Sequence, residues 1–347
     1  LQASCSIPFV LKAVHDIAGA PPGAYWDGGI TDYHLHLRYA GLPAAAHPER
    51  VATAAEDPLV KDSLIKVSDN VHIILPLGVA TNILVYESED GFIIVDDQFE
   101  ELEPTISKLL NSISDKPVLY VFNTHFHFDH VDGNKAFGKK GLKIIGHDNL
   151  RKRLLADQVI GGNLVQKAYP YDALPYITFS DSLTIHEKDE EIKIFYVKNA
   201  HTDTDSFIEF KNENIFHTGD VFVRYGFPFI DENNGGNIFG IIKSVDDLIS
   251  RIDNTTKIIP GHGPISYKKD LILYRNNLQL IVNRIREGIL NNLSVEQIIQ
   301  NDPLKDINWN IDIDWNTGFN DTSLKAGENI SKVYKMIKEY MNLELKK

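Results

Sequence analysis

Short apolar runs bounded by turn residues recur along residues 57–347. Val71-His72-Ile73-Ile74-Leu75, Asn82-Ile83-Leu84-Val85-Tyr86 and Gly91-Phe92-Ile93-Ile94-Val95 read as strands, the last running into Asp96 and Asp97. Residues 101–114 place Leu102, Ile106, Leu109, Leu110 and Ile113 at helical spacing, and Pro117 to Phe122 is the next strand. Further strands are predicted at 192–197, 206–210, 214–216 and 257–259, with helices at 148–155, 245–252 and 270–288. A short helix starts at Ser294-Val295-Glu296-Gln297, and another spans 330–341. Early strands followed by strand–helix alternation, with no fixed repeat, imply sheets covered by helices in one domain with a C-terminal appendage.

Composition divides the chain of 347 residues. Residues 1–56 hold twelve alanines and no asparagine, whereas 57–347 hold seven alanines and twenty-six asparagines. The chain starts at Leu1, without Met or a basic-then-apolar leader, so residues 1–56 read as an extension of different origin, a fusion or cloning scar. The main domain is expected over 57–295, and 296–347 as a helical segment packing on it. A net charge of −13 disfavours nucleic-acid and anionic-membrane partners, and no apolar run reaches the ~20 residues of a spanning helix. The expected partner is a small-molecule substrate; homo-oligomerisation stays open, and bacterial cytoplasm and periplasm both remain open. The single cysteine, Cys5, lies in the extension, so any metal site must be built from His and Asp.

The 13 histidines are not scattered evenly. Thr124-His125-Phe126-His127-Phe128-Asp129-His130 follows a strand, a spacing expected by chance on the order of once in a thousand such chains. Alternate side chains of an extended segment face one way, so His125 and His127 can reach one ion. Asp129 and His130, on the turn into a helix near Val131, can reach a second. His201, Asp220 and His262 each lie just past a predicted strand end, where loops cluster on one rim of a sheet. Imidazole and carboxylate without thiolate suit zinc, and also iron or manganese. His15, His34, His36, His47, His72, His147, His186 and His217 form no comparable group.

The stretch from about 65 to 290 resembles the metallo-β-lactamase superfamily through Thr124-His125-x-His127-x-Asp129-His130, His201, Gly219-Asp220 and Gly261-His262-Gly263. The resemblance implies an α+β fold, a four-layer αββα sandwich. It implies two zinc ions, one on His125, His127 and His201 and the other on Asp129, His130 and His262, with Asp220 bridging. Asp96 matches a superfamily aspartate and is expected to steady the His-rich loop from behind. Zinc β-lactamases usually carry Cys or Ser where this chain has Asp220; a bridging Asp is similar to glyoxalase II, acyl-homoserine lactonases and phosphodiesterases. The N-terminal piece has its own resemblance, to the C-terminal catalytic segment of patatin-like phospholipases. It rests on Ala3-Ser4-Cys5-Ser6-Ile7-Pro8-Phe9 and on Trp26-Asp27-Gly28-Gly29, where Asp27 matches the dyad aspartate. No Gly-x-Ser-x-Gly is present to pair with it, so that piece is expected to be inert.

The implied activity is metal-dependent hydrolysis of a small ester, lactone or β-lactam, with Asp129 as the catalytic carboxylate that orients water and shuttles its proton. A phosphodiesterase or nuclease with the same site, or a mono-iron sulfur dioxygenase, stays open. After Asp220, the run Val221 to Phe229 suggests an apolar wall, with Arg224 and Tyr225 as substrate-binding candidates. Trp309, Trp315 and Phe319 are expected to pin the C-terminal segment to the domain.

Overall fold

The computed structural model describes residues 63–75, 81–161, 164–309 and 326–344, with the backbone of two short paired strands, β1 (Ala13–His15) and β2 (Ala24–Trp26). The patatin-like motifs around Cys5 and Asp27, and Trp315 and Phe319, lie outside the described residues.

A seven-stranded sheet is built from β3 (Leu64–Lys66), β4 (Val71–Ile74), β5 (Ile83–Glu87), β6 (Phe92–Val95), β7 (Val118–Phe122), β8 (Lys143–His147) and β11 (Ile177–Phe179). The strands from β3 to β6 form an antiparallel meander; β7, β8 and β11 then add parallel to β6. A five-stranded sheet runs β12 (Ser182–His186), β13 (Glu191–Tyr196), β14 (Ser206–Phe210), β15 (Ile215–His217) and β16 (Lys257–Ile259), of which only the last pair is parallel. The remaining strands, β9 (Gln158–Ile160) and β10 (Leu164–Gln166), form a separate hairpin.

Period-two alternation sorts the side chains into layers. In β6, Ile93 and Val95 face the second sheet and meet Ile192, Ile194, Ile208, Phe210 and Ile259. Phe92 and Ile94 face outward, onto Ile106, Leu109 and Leu110 of helix α1 (Glu103–Ile113). On the second sheet, Phe207, Phe216 and Ile258 face outward onto α5 (Ile238–Arg251) and α6 (Lys268–Leu290). The C-terminal helix, here α8 (Ala326–Glu344), adds Ile330, Val333 and Ile337 to that same layer. The order helix, sheet, sheet, helix is the four-layer αββα sandwich expected. Among the described residues, no helix is long and apolar enough to cross a membrane.

Several boundaries differ from the sequence reading. Helix α5 begins seven residues before Val245, because Asn237 caps it by accepting from Phe239 N at 2.9 Å. The histidine-rich segment turns into α2 (Phe128–Val131) and then α3 (Asn134–Lys139), so Asp129 and His130 lie within the first helical turn. The other α-helices among the described residues are α4 (Asp148–Leu154) and α7 (Val295–Gln300), the latter held by a reciprocal Ser294–Gln297 capping box. Trp309 packs on Phe227 and Tyr274, with ring centroids 6.1 and 6.3 Å apart, so it holds residues following α7 against the second helical layer.

Candidate metal centre

Loops from one end of both sheets converge on a single cage. The loop after β7 carries His125 and His127 into α2 with Asp129 and His130. The β13–β14 connection carries His201, the turn after β15 carries Asp220, and the turn after β16 carries His262. All seven residues named from the sequence stand together, and all but Asp129 are buried. Ligand-type atoms lie within 4.8 Å of one another in three overlapping groups: His125, His127 and His201; His125, His130 and Asp220; and Asp129, His130 and His262.

The hydrogen bonds behind the cage fix where the imidazole protons sit. His127 Nε2 faces Asp231 Oδ2 at 3.0 Å, and His201 Nδ1 faces the Phe229 carbonyl at 2.8 Å. His130 Nδ1 faces Asp96 Oδ2 at 2.8 Å. Thr124 Oγ1 gives its own proton to Asp96 Oδ2 at 2.8 Å, so at 3.0 Å it accepts from His125 Nδ1. Each of these four rings therefore donates outward, and in its neutral form turns a lone pair inward. Inside, His127 Nδ1 and His201 Nε2 stand 2.9 Å apart, lone pair to lone pair. His125 Nε2, His130 Nε2 and Asp220 Oδ1 are buried without a hydrogen-bond partner. Asp220 lies between the halves, with Oδ1 3.3 Å from His130 Nε2 and Oδ2 3.5 Å from His262 Nε2 and 3.9 Å from His201 Nε2. Asp129 Oδ2 is 3.2 Å from His262 Nε2. Ligand atoms on one tetrahedral zinc lie about 3.3–3.6 Å apart for bonds of about 2.0–2.2 Å. The donor set and its spacing therefore fit cations.

Ionisation follows the same geometry. Burial, reinforced by the neighbouring imidazoles, drives His125 well below its ordinary value, and burial beside His127 takes His201 to about 4. Burial also opposes charge on His262, but Asp220 and Asp129 outweigh it and lift this ring to about 9. Asp220 resists burial in the reverse sense, held well below the usual carboxylate range by His262 and His130.

The supports are exacting. Asp96, at φ 61° after β6, accepts from Thr124 N and from both Thr124 Oγ1 and His130, which places it behind the His-rich loop. Gly261 has no room for a side chain, since a Cβ there would sit 1.9 Å from Asp220 Oδ1. Sequence reasoning missed two supports. Asp231 carries no motif, yet it receives His127 and Asn234, and these hold its carboxyl below the ordinary value although burial pushes it up. Thr81 and Asn82 grip the His262 turn through Gly261 O, Pro260 O and Gly263 O.

The run after Asp220 is placed differently from the apolar wall expected. Val221, Phe222, Val223, Tyr225 and Phe227 are buried in the core against α5 and α6. Phe229 is the aromatic that borders the cage, 5.8 and 5.9 Å from the His127 and His201 rings. The Arg224 guanidinium turns to Ser266 Oγ at 2.7 Å and Asp270 Oδ1 at 3.7 Å, while the Arg224 backbone N–H donates to His262 O; the residue braces the His262 turn. Tyr225 stands closer, its ring 5.8 Å from His262 and its hydroxyl accepting from Phe229 N.

Known proteins resemble this chain at modest identity. A hydroxyacylglutathione hydrolase of Pelagibacter ubique is 25% identical over 200 residues, 55% of this chain and 74% of that protein. The metallo-beta-lactamase IND-1 of Chryseobacterium indologenes is 22% identical over 215 residues, 58% and 83% respectively. Among solved structures, the inverting sec-alkylsulfatase Pisa1 from Pseudomonas sp. matches 79% of this chain and 50% of its own, with TM-score 0.59 and 15% identity. A metallo-beta-lactamase from Pontibacter korlensis matches 62% of this chain and 98% of its own, with TM-score 0.50 and 17% identity. These likenesses establish the fold. The family model for the metallo-beta-lactamase superfamily matches residues 77–263, more than half of the chain and the whole stretch from β5 to the His262 turn. With its inward-facing His and Asp cage, the chain belongs to the metallo-beta-lactamase superfamily of metal-dependent hydrolases.

Proposed function

We propose that the protein is a dinuclear zinc hydrolase that cleaves the acyl C–O or C–N bond of a small ester, lactone or β-lactam by attack at its carbonyl carbon. The observation that carries this reading is the inward aim of four imidazole nitrogens, with Asp220 lying between the two halves of the cage. His125, His127 and His201 would hold the first ion, and Asp129, His130 and His262 the second, with Asp220 shared. Bound there, the metal pair supplies Lewis-acid polarisation of the carbonyl and a lowered pKa for water.

The chain's own groups do the rest. Asp129 is the most exposed carboxylate of the set, with 14% of its side chain accessible. It is therefore the acid that entering water and substrate meet, placed to take the water's proton and pass it to the leaving atom. Asp96 and Asp231 keep the imidazole protons on the outer nitrogens. Phe229 borders the His127–His201 side with an apolar face, and Tyr225, whose hydroxyl burial keeps neutral, stands on the His262 side.

A second reading, sulfate-ester hydrolysis, is favoured by the alkylsulfatase match. It is supported also by 27% identity over 116 residues with the alkyl/aryl-sulfatase BDS1 of Saccharomyces cerevisiae, which covers 31% of this chain and 18% of that protein. One panel separates the readings: a p-nitrophenyl ester, nitrocefin, a homoserine lactone, a hydroxyacylglutathione thioester, p-nitrophenyl sulfate and bis-p-nitrophenyl phosphate, with metal analysis alongside. Turnover of a carbonyl substrate with two zinc per chain is expected. Turnover confined to the sulfate or the phosphodiester, or one iron per chain without zinc, overturns the reading.

A further inference from the structure

The β9–β10 hairpin takes no part in the chemistry above, yet both of its strands are bonded to residues that adjoin or support the cage. Val159 stands opposite Val165 and Ile160 opposite Leu164, so alternation leaves the two valines exposed and turns Ile160 and Leu164 onto Phe126 and Phe229. From β10, Gln166 Nε2 donates at 2.8 Å to the carbonyl of Phe126, the residue between His125 and His127. From β9, Val159 O accepts at 2.9 Å from Asn234 Nδ2.

Asn234 is the junction. The same Nδ2 donates at 2.7 Å to Asp231 Oδ2, the oxygen that receives His127 Nε2 at 3.0 Å. Its Oδ1 accepts from Arg153 Nη1 at 2.8 Å. Arg153 cannot swing away, because Asp203 grips it at 3.0 and 2.7 Å, and the same Nη1 reaches Gln158 Oε1, at the hairpin's start, at 3.1 Å. A guanidinium offers only donors, so the amide oxygen must face Arg153 and the NH2 must face the hairpin and Asp231. The hairpin backbone and the partner of His127 thus hang on two hydrogens of one buried nitrogen.

We propose that Asn234 is a positioning residue that couples the 158–166 hairpin to His127, so that filling the His125–His127–His201 set orders the hairpin and lifting the hairpin loosens that set. The inference rests on the metal reading above, and linkage makes the coupling reciprocal. Asn234→Asp is the discriminating variant: its oxygen still meets Arg153, but an acceptor replaces the donor that faces Val159 O and Asp231. On the full chain, zinc affinity is measured by competition with a chromophoric chelator, and hydrogen exchange of peptides spanning 157–166 is followed with and without zinc.

Zinc is expected to slow exchange of the hairpin several-fold in the parent protein. Asn234→Asp is expected to weaken one zinc by about 10–100-fold and to remove that protection. The turns at the far end of the sandwich should exchange as before. Should Asn234→Asp fail to fold, Asn234→Ala provides the same comparison with the two bonds lost and no added repulsion. Parental zinc affinity in the variants, or zinc binding that leaves hairpin exchange unchanged in the parent, overturns the coupling. A parent protein that binds no zinc through His125, His127 and His201 overturns the metal reading and the coupling with it.

Discussion

The two ends of the sandwich each bury an acid, and they treat it in opposite ways. At the end away from the cage, Glu190 immediately precedes β13 and its oxygens accept from three backbone groups, Glu191 N, Asn212 N and Glu213 N. Around it the turns of the two sheets are stitched by ordinary contacts: Asn70 to Glu213, Lys257 to the carbonyl of Val67, and an exposed Lys188–Glu89 ion pair. At the other end, Asp220 follows β15 with one oxygen unpartnered, beside two imidazole nitrogens that are also unpartnered. A buried polar group left unmet costs about 1–3 kcal/mol, more when charged. Folding alone explains Glu190. It does not explain why Asp220, His125 and His130 turn their inner atoms into one cage of ligand-type groups.

The sharpest way to test that difference is to change chemistry at the cage without changing its shape. Asp129→Asn keeps the side chain's volume and removes its capacity to take a proton. Assayed at saturating zinc, turnover of the best substrate in the panel is expected to fall by about 10²–10⁴-fold, with thermal unfolding near that of the parent. Near-normal turnover at full zinc occupancy would remove Asp129 from the mechanism. Next in size is Asp96→Ala. It leaves Thr124 N, Thr124 Oγ1 and His130 Nδ1 without their acceptor, so zinc affinity is expected to drop by about 10–100-fold. Retained affinity, read by chelator competition, would make Asp96 a strand-end residue and nothing more.

The far end should respond in stability and not in chemistry. Glu190→Ala strands three backbone donors and is expected to cost about 1–3 kcal/mol by denaturant unfolding. Zinc content and kcat should stay at parental values. A loss of metal in this variant would mean that the two ends are not separable through the sheets, and the comparison would fail.

How far each end could be foreseen follows from the range of its contacts. His125, His127, Asp129 and His130 crowd into six residues, so their chemistry shows in the spacing itself. Asp96, His201, Asp220 and His262 could be placed because each follows an apolar run that reads as a strand. Asp231 could not: it meets His127 from 104 residues away and sits in a run of ordinary loop residues. The grip of Asn82 on the His262 turn spans 181 residues to Gly263. The opposite error arose at Arg224, where nearness to Asp220 in sequence suggested a place in the cleft, while the side chain turns to Ser266 and Asp270. The hairpin escaped notice because Gln158 to Gln166 offers only two three-residue strands, too short for periodicity to register.

The smallest effect lies in the turn that launches β16, whose opposite end delivers His262. Asp253 Oδ1 accepts from Thr255 N, Thr255 Oγ1 and Thr256 N, and the Thr255 hydroxyl and the backbone donors hold its carboxyl at about 2. The folded-state value is depressed, so its contribution is present above the unfolded value of about 3.8 and is lost as pH falls from there toward about 2. Asp253→Asn keeps the acceptor oxygen but not the charge. The stability gap between parent and variant should therefore be constant above about pH 5, narrow below pH 4 and close near pH 2, as read by denaturant midpoints at each pH. Because the turn is exposed, the gap is expected to be slight. Zinc occupancy at neutral pH should not differ between the two proteins. A gap that ignores pH would show that Asp253 acts through geometry alone, and unequal zinc occupancy would show that β16 transmits the turn's state to His262.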